Sequence, residues 1–100
     1  MFGIYTKITA ISEKRKELLD ILLEAAKTME AVQNCKLYIV NESTTEPDAV
    51  WVTEIWDSKQ SHEASLNNVS SKDLISKALP FIARPPEQII LSPIGGKGIR

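Results

Sequence analysis

The chain has one cysteine, Cys35, and one histidine, His62. A single thiol excludes an internal disulfide and fits a reducing, cytoplasmic setting. One cysteine and one histidine cannot assemble a protein-only zinc site of the usual kind, so no metal is expected. The common cofactor fingerprints are missing too: there is no GxGxxG, no Walker loop and no HExxH. The glycines of Gly95-Gly96-Lys97-Gly98 follow the last expected strand with no helix behind them, which is not anion-binding geometry. Neither sign of charge dominates. Lys and Arg number 12 against 13 Asp and Glu, for a net charge of −1. Nucleic acid and anionic membrane surfaces both call for a basic face, so neither is expected as a partner. Apolar runs extend only a few residues, as at Ile21-Leu22-Leu23, against the ~20 that a membrane span needs. No basic stretch leads into an apolar one at the N-terminus, so no secretory signal is expected.

What is present suits a soluble globule. The chain has 100 residues, 43% hydrophobic and 25% charged, enough for a single domain over residues 1–100. A chain of this size buries roughly 65% of the surface it exposes when unfolded. That supports one core but not a large enclosed site as well. A pocket must therefore lie between layers or be shared with a partner chain.

Residues 2–10 alternate Phe2, Ile4, Thr6 and Ile8 with Gly3, Tyr5, Lys7 and Thr9, which predicts a strand. Ser12 is placed to cap a helix over residues 13–32, with Leu18, Leu22, Ala25 and Met29 on one stripe and charge opposite. Gln33-Asn34 would end it. Residues 35–40 and 49–56 read as two strands joined by a turn-rich segment holding Pro47, and so as a hairpin. Ser58 caps a short helix that Asn67-Asn68 interrupts. A second helix restarts at Ser70 or Ser71, with Leu74, Ile75, Ala78, Leu79 and Ile82 inward. Pro85-Pro86 ends it, and residues 87–91 form the last strand. Residues 93–100 are expected to be a flexible or partner-contacting tail.

The order β-α-β-β-α-β predicts an α+β, ferredoxin-like fold with a four-stranded antiparallel sheet. Both helices then cover one face of the sheet and leave the other open. A second copy is the simplest cover, so a homodimer is expected.

Few residues carry chemistry. Glu54 shares a strand face with Trp56, while Trp51 has the opposite parity. A carboxylate there is either solvated or buried with a partner, and burial would raise its pKa. His62 and Ser65 neighbour each other on one helix face, and His62 has the only side chain that titrates near neutrality unperturbed. It is a candidate general base or a structural donor. Ser58, Ser61 and Ser65 lie near it, but nothing resembles a nucleophile elbow. Tyr5 and Tyr38 either line a pocket or fill one. Cys35, at a strand start, is expected to be buried and inert. Arg84 either reaches an anionic ligand or binds carbonyls at a helix end.

Two stretches together resemble a known family. Cys35-Lys36-Leu37-Tyr38, followed by Trp51-Val52-Thr53-Glu54-Ile55-Trp56-Asp57-Ser58, is similar to the signature of the antibiotic biosynthesis monooxygenase family. The tail from Pro85-Pro86-Glu87 to Gly98 resembles a subgroup. The resemblance implies a dimeric α+β barrel with a small pocket between sheet and helices in each protomer. It also implies oxidation of a small phenolic, quinol or polycyclic aromatic substrate by O2, with no metal, flavin or haem. The substrate is deprotonated, and its electron-rich anion reacts with oxygen directly. Trp56 falls at the family's Trp, the donor to a substrate oxygen. Glu54 and Tyr38 fall at the family's Glu and strand Tyr and would shape the pocket. Ser65 stands where many members have His, and His62, one turn earlier, would be base or relay. Haem-degrading relatives need Trp at the Ser65 position and a His in the last helix, so that activity is rejected.

The leading expectation is thus a cofactor-independent monooxygenase with His62 and Trp56 catalytic and Tyr38, Glu54 and Ser65 in the substrate pocket. A non-catalytic dimer binding a small ligand is the alternative. A purely structural module is a third, and it predicts no pocket.

Overall fold

The computed structural model describes residues 1–99; Arg100, the end of the expected tail, lies outside them. Four strands form one antiparallel sheet: β1 (Phe2–Thr9), β2 (Cys35–Glu42), β3 (Ala49–Trp56) and β4 (Glu87–Leu91), in the order β2-β3-β1-β4. Three helices, α1 (Arg15–Met29), α2 (Lys59–Leu66) and α3 (Val69–Ala78), complete the expected ferredoxin-like order, with the second crossover broken in two. No helix among the described residues is long and apolar enough to cross a membrane.

Strand alternation sets the layers. Ile4, Thr6 and Ile8 of β1 and Val50, Val52, Glu54 and Trp56 of β3 are buried together beneath the helices. Leu18 and Leu22 of α1 and Ala78 of α3 close the core over them. Leu18 has no exposed surface, so Leu18→Ala should cost about 3–5 kcal/mol, read from the urea midpoint at constant m. On the opposite face Ile39, Thr53, Tyr5 and Ile89 form one row across all four strands. Ile39 and Ile89 in that row are exposed.

Several boundaries differ from expectation. Helix α1 begins at Arg15, not Glu13, and Ser12 does not cap it. The chain stays pinned to the sheet edge first. Ala10 bridges Ile82, the Ile11 N–H donates to the Phe81 carbonyl, and Glu13 turns through a left-handed φ of 68°. The helix start is then held by Arg15, whose guanidinium donates to the Ser43 and Glu46 carbonyls. At its other end α1 stops at Met29, and two tight turns carry the chain to Cys35. Strand β2 runs two residues past Val40 because the Asn41 side chain donates to the Trp51 carbonyl.

Ser58 caps α2 as expected, accepting from the Ser61 N–H. Helix α3 restarts earlier than expected, since Asn68 accepts from the Ser70 N–H and takes the cap from Ser70 or Ser71. Leu74 and Ala78 point inward, but Ile75 and Leu79 are exposed. The tail is not wholly free. Pro93 packs so closely on Gly3 that a Cβ there would lie 3.1 Å from the proline Cγ.

Candidate active site

A cavity of about 630 Å³ lies between the sheet and the helices. Ile8 and Val52 form part of its floor, Leu22 and Met29 one wall, and Leu74 and Ala78 another. Ile75 and Leu79 also border it, which is why their inward spacing does not bury them: the end of α3 and the turn that follows face a hollow. Its polar groups are few, as in small-molecule sites generally. Glu54, His62, Tyr38 and Ser65, four of the five residues singled out from the sequence, all reach its wall. A hollow of this kind disfavours the purely structural reading.

Glu54 is the centre of the polar cluster. Its position opposite Ile4 and Tyr38 in the sheet puts the carboxylate on the helix-covered face. The Trp56 indole N–H donates to Glu54 Oε1 at 3.0 Å, and His62 Nε2 lies 3.7 Å from the same oxygen. Phe2 and Trp56 pack against the imidazole, with ring centroids 5.4 and 5.7 Å away. Burial pushes the Glu54 carboxyl above its usual range, and the Trp56 hydrogen bond offsets part of that. Burial also pulls His62 below its ordinary 6.5, against a smaller opposite pull from Glu63. The Tyr38 hydroxyl is pushed up, mainly by burial and then by the Glu54 charge, so it stays protonated. At neutral pH the cavity therefore presents a neutral imidazole and a phenolic donor beside a carboxyl.

Trp56 does not take the part expected of it. Its single N–H is spent on Glu54, it is almost wholly buried, and it does not border the cavity. In this arrangement the indole holds the Glu54 carboxyl. Ser65 reaches the cavity, but its hydroxyl donates to the His62 carbonyl at 2.6 Å and so pins that turn of α2. Cys35 is half-exposed, not buried as expected. Burial and the Glu54 charge raise its thiol pKa, so it is a poor nucleophile. Thr6, Arg84 and Gln88 also line the cavity. Thr6 and Gln88 carry little signal in the sequence. For Thr6 it is strand parity with Ile4 and Ile8, and for Gln88 only its pairing with Thr6 gives it away.

A second cavity of about 530 Å³ lies beyond Met29, Ser65 and Ser71, which the two share. It holds serines, asparagines and Gln60 but neither His62 nor Glu54.

Protonation of these groups is coupled to folding with opposite signs. The lowered His62 pKa adds stability above about 6.5, and that contribution is lost as pH falls through the folded value. The raised Glu54 pKa works the other way. His62→Gln removes only the first effect. The stability gap between wild type and this variant should therefore shift against the wild type from pH 7.5 to pH 5.5 in urea titrations. A gap that does not change with pH would contradict the assignment.

The family model for antibiotic biosynthesis monooxygenases matches residues 1–77, which include the whole Tyr38–Glu54–Trp56–His62 cluster. The chain belongs to the antibiotic biosynthesis monooxygenase family. A solved structure from Chloroflexus aurantiacus, provisionally assigned as such a monooxygenase, is 39% identical. It has a TM-score of 0.87 and covers 99% of this chain and 98% of its own. A provisionally assigned monooxygenase from Caulobacter crescentus is 20% identical, with a TM-score of 0.88 over 94% of this chain and 90% of its own. One from Nitrosomonas europaea is 9% identical, with a TM-score of 0.88 over 95% of this chain and all of its own. At those identities the last two bear on the fold alone. Comparison with curated proteins gives no match. The fold of this antibiotic biosynthesis monooxygenase family member thus recurs in chains of very different sequence.

Proposed function

We propose that this protein is a cofactor-independent monooxygenase that oxidises a small phenolic or quinol substrate with O2. The observation that carries the reading is a buried carboxyl–imidazole pair on the wall of an otherwise apolar cavity of about 630 Å³. Such a site can hold an aromatic ring and accept a proton from it, and groups with shifted pKa values in a cavity mark functional sites.

His62, neutral because it is buried, takes the proton of the substrate hydroxyl. Transfer from a phenol of pKa ~10 to an imidazole below 6.5 is uphill by at least about 5 kcal/mol. Two features of the cavity offset this. Glu54 Oε1, 3.7 Å from Nε2, favours the imidazolium that forms whenever the carboxyl has given up its proton. The protonated Tyr38 hydroxyl is a donor for the phenolate oxygen, in place of the indole N–H expected there from the sequence. The phenolate then gives its electrons to O2. One oxygen atom enters the ring at a carbon that loses hydrogen, and the other leaves as water. A phenol and O2 thus yield a quinone and water. The substrate gives up two hydrogens, one from its hydroxyl and one from the attacked carbon, and both leave in the water. The substrate supplies all four electrons, so the balance needs no other reductant.

Ser65 at the family's usual His position favours the second reading, a dimer that binds a small ligand without turnover. Oxygen uptake separates the two. The metal-stripped protein should consume O2 with naphthols or naphthoquinols above their autoxidation rate, and the excess should vanish in His62→Gln. Uptake at the autoxidation rate alone would favour ligand binding.

The open sheet face supports a homodimer. Ile39, Tyr5 and Ile89 sit in one row, and a second copy would cover them. Wild type should sediment at twice the 11.1 kDa chain mass, and Ile39→Lys with Ile89→Lys should shift it to one. A monomeric wild type would contradict the dimer.

A further inference from the structure

Among the described residues, three ionisable groups besides Tyr38 reach the main cavity: Glu54, His62 and Arg84. The first two belong to the proton-transfer cluster. Arg84 has no part in it, and we propose that it anchors a carboxylate on the substrate, so that the cavity takes an aromatic acid. The aromatic half of this statement rests on the proposed function; the acid half rests on Arg84.

Arg84 lies at the opposite end of the hollow from the cluster. Glu54 is level with Ile4 of β1, whereas Ala83 donates its N–H to the Thr9 carbonyl at 2.8 Å. Five residues of extended strand separate those levels, roughly 17 Å at ~3.4 Å per residue. The side chains lean inward and shorten that span, but it still exceeds one phenol ring. A fused aromatic with its reacting hydroxyl at His62 and an acid group at the far end would fill it.

The backbone holding Arg84 is fixed at both ends. Ile82 bridges Ala10 on one side, and on the other Pro85 follows and disfavours the helical region for Arg84. Among the described residues Arg84 forms no ion pair. The acidic residue nearest in sequence, Glu87, lies 4.0 Å from Lys7, whose side belongs to the opposite face of the sheet. A guanidinium remains charged at every working pH, and its planar fork matches a carboxylate. Gln88, paired with buried Thr6 on the cavity side, lies between the two ends and adds an amide to the wall there. Neither Arg84 nor Gln88 falls within residues 1–77 matched to the family model.

The test separates binding from chemistry by using ligands that have no phenol to oxidise. Anthraquinone-2-carboxylate and its neutral isostere anthraquinone-2-carboxamide are titrated calorimetrically into the whole protein. The acid should bind about five- to tenfold tighter at low salt, with the preference shrinking as salt rises. Arg84→Gln should abolish the preference and leave amide binding unchanged, while Arg84→Lys keeps part of it. Equal binding of the two ligands to wild type, or a preference that survives Arg84→Gln, overturns the anchor and leaves the oxygenase reading intact. If neither ligand binds, the anchor and the aromatic reading fall together.

Discussion

His62→Gln should reduce oxygen uptake at least about a hundredfold while leaving substrate affinity within about a factor of two. A positioned general base contributes on that scale. Tyr38 is held protonated, and Glu54 is already engaged by the Trp56 indole. A ligand held by apolar contacts and Tyr38 should scarcely notice the change, so the loss should fall on kcat. An equal loss of affinity, with kcat unchanged, would make His62 a packing residue between Phe2 and Trp56.

Trp56→Phe should destabilise the fold by about 2–4 kcal/mol, and the penalty should grow with pH. The substitution removes volume from a nearly inaccessible site and takes away the hydrogen bond at Glu54 Oε1. That bond holds the raised Glu54 pKa down, so its loss raises the pKa further. A carboxyl with a raised folded pKa favours folding when protonated. Its contribution is full below its ordinary 4.5 and is lost as pH rises through the folded value. The Trp56→Phe penalty at pH 8 should therefore exceed that at pH 4.5 in urea titrations. Glu54→Gln removes the charge but keeps an acceptor for the indole, so in that background the pH dependence should disappear. Equal penalties at both pH values would mean that the indole does not tune the carboxyl.

Period-two alternation makes much of this legible in the sequence. It puts Glu54 and Trp56 on one face and Trp51 on the other, and the turn residues and Pro85-Pro86 mark where strands begin and end. Alternation says which face a residue occupies but not what it meets there. The N–H of Trp56 turns on Glu54 because of its rotamer, and Phe2 reaches His62 because of strand register. Neither leaves a local trace. The start of α1 departs from the sequence pattern because a tertiary tether, Arg15 on the 43–49 connection, outweighs the cap that Ser12 offers. Ile75 and Leu79 keep helical spacing, but spacing cannot tell a packed interior from a hollow one.

The most direct measurement is the fate of oxygen-18 gas supplied to the chelator-treated protein with a naphthol. The account predicts one labelled atom in the quinone and one in water, at a rate insensitive to chelator and lost in His62→Gln. A quinone whose new oxygen comes from water, or uptake no faster than autoxidation, would contradict it.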